Sequence, residues 1–206
     1  MSLQLNNTEN VIKDLVSHIQ DPDFCDVKII CSDGEIPANK SILGLRSQYF
    51  CSMFSSSNNF VESQAGCVKL PYTKAVVEKV VLYLYSGEMT CDDLALGQML
   101  DLLELLNSMN LPEEFSSLED FTMDTIWSYE KFSLSVCLDN FEKSYKLGLE
   151  VLGDCLLEFL AENFFGLSEM AEVGGLSEAM IMRLLRQKRE VRSQTILRFQ
   201  TFAKWL

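Results

Sequence analysis

Side chains that could perform catalysis are scarce in this sequence, and their spacing forms no known catalytic or metal site. The only histidine, His18, stands beside Val16 and Ile19 on a predicted helix, where helix packing is expected rather than the role of a catalytic base. The seven cysteines include no C-x-x-C pair, so the sequence contains no short zinc-binding motif of the Cys/His type. Gly174-Gly175 lacks the Lys-Ser/Thr that completes a phosphate loop. The sequence therefore predicts no enzyme and no cofactor or metal site.

The composition argues against a nucleic-acid or membrane partner. The formal net charge is -13, whereas phosphate binding requires concentrated lysine and arginine. The one basic cluster, RLLRQKREVR from Arg183 to Arg192, contains no aromatic residues and is interpreted as a solvated helix end. No stretch approaches the ~20 apolar residues of a membrane span, and no signal peptide is visible. We expect a protein of the cytoplasm or nucleus with reduced cysteines.

The first part of the chain mixes helices with short strands. ENVIKDLVSHI has helical spacing, and FCDVKIICSDGEIPANK predicts a hairpin in which Asp33-Gly34 are able to take the positive φ angles of a tight turn. One helix is predicted over Ile42–Phe54, and GCVKLPY predicts a third strand. The next helix, TKAVVEKVVLYLYSGEM, is predicted to end at Gly87.

The rest of the chain is predicted to be helical. A leucine-dense helix covers residues 92–110, Pro112 marks a new start, and a shorter helix follows over Leu118–Ile126. From Phe132 onward the 3.6-residue period continues without a strand signal. The prediction is an α+β domain over residues 1–128 followed by an all-α region over residues 129–206.

An aromatic residue stands in a polar loop after the predicted helix Ile42–Phe54. The stretch SNNFVESQ places Phe60 and Glu62 among serine and asparagine residues. Because loops run over the surface, such an aromatic either packs back onto the core or waits for a partner. A helix-rich, acidic chain without catalytic residues is typical of a binding scaffold, and the alternative is that every apolar face belongs to the internal core.

The order of these motifs resembles the BTB (POZ) domain. FCDVKII, then GEIPANKSILGLRSQYFCSMFSS, then VKLPYTKAVVEKVVLYLYSGEM, then LLDLLELLNSMNL follow the family's landmarks at similar spacing over about residues 10–128. The resemblance implies an α+β BTB/POZ domain with a small sheet flanked by helices. Asn39 stands where many members have histidine.

The second part resembles the beginning of a BACK domain, the helical module that follows BTB in kelch-like and related proteins. CLDNFEKSYKLGLEVLGDCLLEFLAENFFGL and LRFQTFAKWL carry this likeness. It implies a partial, all-α BACK domain over residues 129–206, whose first helices, from about Phe132 to Phe165, form the accessory wall called the three-box. The domain that reads the substrate protein is expected outside this chain.

The resemblance also implies a homodimer. The family's interface uses the first helix and the helix after the hairpin, which in this sequence correspond to Val11, Leu15, Ile42 and Leu45. Asp26 and Lys40 match an acidic and a basic position that lie near each other at that interface. A lysine cannot make the bidentate contact of an arginine, so any charge pair would be weaker.

Many BTB-BACK proteins bind the N-terminal region of cullin-3 and act as substrate adaptors of a ubiquitin ligase. In that family a loop follows the helix that ends in Met-Phe, which here is the predicted helix Ile42–Phe54. This loop carries an apolar-x-Glu motif that contacts the cullin, and Phe60-Val61-Glu62 fits this motif. The resemblance therefore implies a dimeric, non-catalytic cullin-3 adaptor. The alternative is a BTB dimer that recruits a corepressor peptide as a scaffold or transcriptional regulator, without binding a cullin.

Overall fold

A computed structural model describes residues 8–17, 21–55, 66–128, 131–163, 166 and 176–190. The chain divides into two compact units. The first contains the residues up to Leu94 together with Leu105–Pro112, and the second contains Ala95–Glu104 together with the residues from Glu113 onward. The domain boundary between residues 128 and 129 stays a prediction.

A small mixed sheet lies in the first unit. Strand β1 (Val27–Ile30) pairs antiparallel with β2 (Glu35–Ala38) and parallel with β3 (Cys67–Lys69), which gives the order β2-β1-β3. Side chains on one face of the sheet, such as Ile29 and Val68, are fully buried. This pairing confirms the predicted hairpin and third strand. They were predictable because a half-buried strand alternates between apolar and polar side chains.

The hairpin turn does not use the positive φ angles that Asp33-Gly34 could adopt. Neither Asp33 nor Gly34 has a positive φ angle. The Cys31 amide donates to the Gly34 carbonyl at 2.8 Å, and the Asp33 carboxylate accepts a hydrogen bond from the backbone amide of Lys74. Asp33 thus binds the first amide of a helix that is distant in sequence.

The described residues of the first unit form four helices besides this sheet: α1 (Thr8–Ser17), α2 (Lys40–Arg46), α3 (Gln48–Phe54) and α4 (Lys74–Ser86), with a short 3-10 turn at Pro22–Phe24. Both α1 and α2 contact α4, and α4 also contacts β2. The predicted end of α4 is confirmed, since Gly87 has φ 78° and its amide donates to the Tyr83 carbonyl at 2.7 Å.

The single helix that the sequence predicts over Ile42–Phe54 is in fact two. Ser47 separates α2 from α3 with an extended backbone, φ -136° and ψ 122°. Its amide closes α2 by donating to the Leu43 carbonyl, and its own carbonyl accepts from the Cys51 amide in α3. The apolar period continues across the break, so periodicity alone does not reveal it.

Helix α5 (Leu96–Ser108) is followed by α6 (Pro112–Trp127). The predicted start at Pro112 is confirmed, but α6 is longer than the predicted Leu118–Ile126 helix. Proline lacks a backbone N–H, but at the first helical position this group would have no partner within the helix. The negative charges of Glu113 and Glu114 in the first turn stabilise the positive end of the helix dipole.

Among the described residues of the second unit, three further helices follow: α7 (Leu134–Lys146), α8 (Glu150–Glu162) and α9 (Glu178–Glu190). Helix α8 packs against both α7 and α9. Its Gly153 permits a close approach, since a Cβ there would lie 2.8 Å from Cζ of Tyr145. The Tyr145 hydroxyl donates to Asp154 at 2.6 Å, and the Arg183 guanidinium carbon lies 4.2 Å from the centre of the Tyr145 ring. Helices after the BTB-like region were predicted, and the described residues confirm them.

Candidate protein-interaction surfaces

The described side chains include no prepared nucleophile or metal site. Among them, no group of three or more histidine, cysteine or acidic residues could hold a metal ion, and His18 lies outside the described residues. Burial raises the pKa of the Cys137 thiol to about 12 and that of the Cys155 thiol to about 11, although a hydrogen bond from Trp127 lowers the latter in part. At neutral pH both thiols are protonated, which is the unreactive form. None of the helices in the described part is long and apolar enough to cross a membrane.

These burial differences predict an order of thiol reactivity. Cys51 on α3 is exposed, whereas Cys137 and Cys155 are buried. We expect iodoacetamide at about pH 7.5 to modify Cys51 at least tenfold faster than either buried cysteine, because alkylation needs an accessible thiolate. Peptide mass spectrometry measures the three rates. The same reaction in urea should bring them close together, and equal rates in the folded protein would contradict the prediction.

Helix α2 presents an apolar side chain to solvent. Leu43 is fully buried, while Leu45 is 86% exposed and Ile42 is half-buried. Two residues correspond to about 200° around a helix, so Leu43 and Leu45 lie on opposite faces. Val11 and Leu15 belong to α1, but their side chains lie outside the described part of the chain. Of the predicted dimer residues, Leu45 is thus the one that the structure shows unburied.

Asn39 fixes the start of α2. Its side-chain oxygen accepts hydrogen bonds from the amides of Ser41 and Ile42, at 2.9 and 3.2 Å, and its side-chain nitrogen donates to the Phe24 carbonyl at 2.9 Å. Its backbone amide donates to the hydroxyl of Tyr85 at 2.8 Å, and burial raises the pKa of that hydroxyl. Asn39 thus serves as a helix cap, in the role for which asparagine is favoured.

The cap also ties a second exposed apolar residue to the start of α2. The Phe24 side chain is 53% exposed, and its carbonyl is held by Asn39. We call Ile42 and Leu45 the α2 surface. Sequence reasoning missed Phe24, although the Pro-Asp-Phe turn before a strand places an aromatic residue where the sheet does not cover it.

Asp26 and Lys40, the predicted charge pair, are neighbours within this chain. The Asp26 carboxylate accepts a hydrogen bond from the backbone amide of Lys40 at 2.7 Å. The Lys40 ammonium nitrogen lies 5.8 Å from the centre of the Phe54 ring. Asp26 therefore binds the first amide of α2 and adds negative charge at the positive end of this helix. A charge pair between two subunits stays a prediction.

A groove opens beside α3 in the first unit. It measures about 450 Å³, and its walls come from α3 and from the residues at the end of α5. The lining residues are Gln48, Tyr49, Ser52, Met53, Ser108, Met109 and Asn110. None of them is charged at neutral pH, so the groove suits an apolar or aromatic side chain with a few hydrogen bonds at its rim.

The groove lies on the far side of α3 from the core. Phe50 is fully buried, whereas Tyr49 and Met53, one turn apart, are half-buried and line the groove. Helix α3 ends at Phe54, shortly before the predicted motif Phe60-Val61-Glu62. That motif lies outside the described residues. The prediction of one helix over Ile42–Phe54 did not separate the side chains that pack on the core from those that line the groove. The sequence signal for the groove was the i, i+4 spacing that pairs Tyr49 with Met53 and, separately, Phe50 with Phe54.

Comparison with known proteins agrees with this architecture. The family model for the BTB/POZ domain matches residues 16–124. The chain is 26% identical over 188 residues to Kelch-like protein 38 of Danio rerio, which covers 91% of this chain and 30% of that protein. It is 26% identical over 171 residues to the Leucine-zipper-like transcriptional regulator 1 homolog of Drosophila melanogaster, covering 80% of this chain and 16% of that protein.

A third relative, BTB/POZ domain-containing protein 17 of Homo sapiens, is 25% identical over 170 residues. That match covers 82% of this chain and 33% of the relative. The chain thus spans a third or less of the length of each of these three relatives. The comparison therefore concerns the part of each relative that the chain matches, and not its remaining domains.

Proposed function

Because the chain belongs to the BTB/POZ domain family of non-catalytic protein-interaction modules, we propose that it is a homodimeric adaptor that recruits the N-terminal region of cullin-3 to a ubiquitin ligase. The observation that carries this proposal is the uncharged groove beside α3. It adjoins the helix that leads into Phe60-Val61-Glu62. Kelch-like relatives of the chain support the same assignment.

The groove and the motif would act together on one partner segment. Tyr49, Met53 and Met109 supply an apolar floor, and large apolar anchors of this kind often carry most of an interface's energy. Phe60 would add an aromatic anchor from the loop, and Glu62 would accept hydrogen bonds from partner donors and fix the register. Since the lining carries no charge, we expect apolar burial to dominate binding over salt-dependent attraction.

The α2 surface would form the dimer interface. An exposed leucine such as Leu45 is stabilised when a second copy covers it, and a twofold axis would bring the same surface of both copies together. Dimerisation gives the adaptor two cullin sites and two substrate sites, which raises the effective concentration of substrate near the transfer machinery. The adaptor itself breaks and forms no bond.

The helical second unit would be the beginning of a BACK domain. Helices α7 and α8 lie within the range from Phe132 to Phe165 that the resemblance assigns to the three-box. In this proposal the BTB/POZ domain occupies residues 1–128 and the partial BACK domain residues 129–206. The substrate protein would bind through a further domain that is not present in this chain.

A direct binding measurement tests the cullin assignment. We expect isothermal calorimetry to show binding of a cullin-3 N-terminal fragment to the wild-type chain. The Phe60→Ala/Glu62→Ala double variant should bind at least roughly 30-fold more weakly, because interface anchors typically contribute about 2 kcal/mol or more. A Ser57→Ala/Asn59→Ala double variant, altered in the same loop outside the motif, should bind like the wild type.

The outcome separates this function from its alternative. An absence of wild-type binding, or an unchanged affinity of the Phe60/Glu62 variant, would count against the cullin adaptor. If the protein is instead a corepressor-recruiting scaffold, we expect a peptide to bind at a groove formed by the two subunits of the dimer, and substitution of Phe60 to have no effect. Both experiments use the same purified protein, so one preparation decides between the two.

A further inference from the structure

Three helices end with a residue in the left-handed region among the described residues. Gly87 after α4 has φ 78°, and Gly148 after α7 has φ 75°. The third is Asn110 after α5, with φ 56°. A residue with a Cβ is disfavoured in this conformation, and glycine is the usual choice at the end of a helix. Asparagine is the residue that adopts this conformation most readily after glycine, so the backbone at the third position admits either residue and the role of the Asn110 side chain is left to be explained.

The backbone around Asn110 does not need its side chain. The Asn110 amide donates to the Asn107 carbonyl at 3.0 Å, and the Leu111 amide donates to the Leu106 carbonyl at 3.0 Å. This is the hydrogen-bond pattern with which glycine commonly terminates helices. No described residue forms a hydrogen bond with the Asn110 side-chain amide, which is exposed at the groove. A glycine would close α5 equally well.

We infer that Asn110 is a recognition residue of the groove, whose side-chain amide forms a hydrogen bond with the cullin-3 segment that docks there. This inference rests on the proposed function. The apolar floor formed by Tyr49, Met53 and Met109 attracts apolar side chains without fixing their position along the groove. A carboxamide both donates and accepts, and the fixed backbone of a helix end holds it in place. Asn110 would thus set the register of the docked segment.

The test compares two exchanges at left-handed positions of the first unit. The Asn110→Gly substitution removes the side-chain amide and also removes the Cβ that is disfavoured in the left-handed backbone conformation. We expect an unchanged or slightly higher melting temperature, together with a roughly 3- to 10-fold weaker affinity for the cullin-3 N-terminal fragment, the share of one ordinary hydrogen bond. The matched control is Gly87→Asn, where a Cβ has open space except for an ordinary contact with Arg46. It should lower the melting temperature slightly and leave the affinity unchanged.

Each result of this experiment is decisive. If the wild type binds the fragment and Asn110→Gly binds it within twofold, the inference about Asn110 is wrong while the cullin assignment stands. If the wild type does not bind, the cullin assignment fails and the inference fails with it. If Asn110→Gly loses affinity and melting temperature together, the role of Asn110 is structural and the inference is overturned.

Discussion

Replacing Leu45 by aspartate is expected to convert the proposed dimer into a monomer at micromolar concentration. Leu45 is 86% exposed, so the substitution removes no core contact from the isolated chain. In a symmetric dimer the change occurs twice, and each copy buries a charge without a partner. If each leucine contributes about 2 kcal/mol, the dissociation constant rises roughly 1,000-fold. Light scattering coupled to size-exclusion chromatography measures the mass of wild type and variant side by side.

The control for this prediction is Val151→Asp. Val151 is another exposed apolar residue, 58% accessible, and it lies on α8 in the second unit. The variant adds the same charge outside the α2 surface and should remain dimeric. A monomeric wild-type protein would remove the dimer proposal altogether. A Leu45→Asp protein that stays dimeric would move the interface away from the α2 surface.

The fold was predictable wherever a short local pattern determines an element. A short β-branched run identifies β1, a short run that ends before a proline identifies β3, and Gly87 identifies the end of α4, because these signals act within a few residues. The break at Ser47 was not predictable from the apolar period, which runs through it. The hydrogen bond from the Lys74 amide to the Asp33 carboxylate was not predictable either, since it joins residues far apart in the sequence.

The candidate surfaces were predictable to a different extent. Leu45 came from the family resemblance, and its exposure agrees with a role in contacts between molecules without testing it. The link between Phe24 and the start of α2 depends on tertiary structure, because it is formed by the hydrogen bond between Asn39 and the Phe24 carbonyl. The groove also depends on tertiary structure, because the end of α5 must lie beside α3, and neither sequence segment alone indicates a concave surface.

Helix α3 links the core of the first unit to the groove. On its inner face Phe50 is fully buried, with its ring centre 5.7 Å from that of Phe54 and 5.2 Å from that of Tyr49. On its outer face Tyr49 and Met53 line the groove. The helix has only seven residues, too few to be stable without tertiary packing. The shape of the groove therefore depends on the packing of Phe50.

Phe50→Ala is accordingly expected to reduce both stability and cullin-3 binding. Removing a fully buried phenylalanine typically costs about 3–5 kcal/mol of unfolding free energy, a large part of the 5–15 kcal/mol of an ordinary domain. Urea denaturation followed by circular dichroism measures the loss. Phe121→Ala on α6 is the matched control, because Phe121 is 39% exposed and its truncation leaves no closed cavity; we expect a cost of roughly 1 kcal/mol.

A milder substitution separates the two effects of Phe50. Phe50→Leu retains an apolar side chain and should cost less than about 1.5 kcal/mol, so the protein stays folded for calorimetry. If Phe50 positions the groove wall, this variant binds the cullin-3 fragment more weakly than the wild type, although residue 50 does not line the groove. Wild-type affinity in a folded Phe50→Leu protein would show that the groove keeps its shape without Phe50. Equal destabilisation by Phe50→Ala and Phe121→Ala would contradict the packing on which the argument rests.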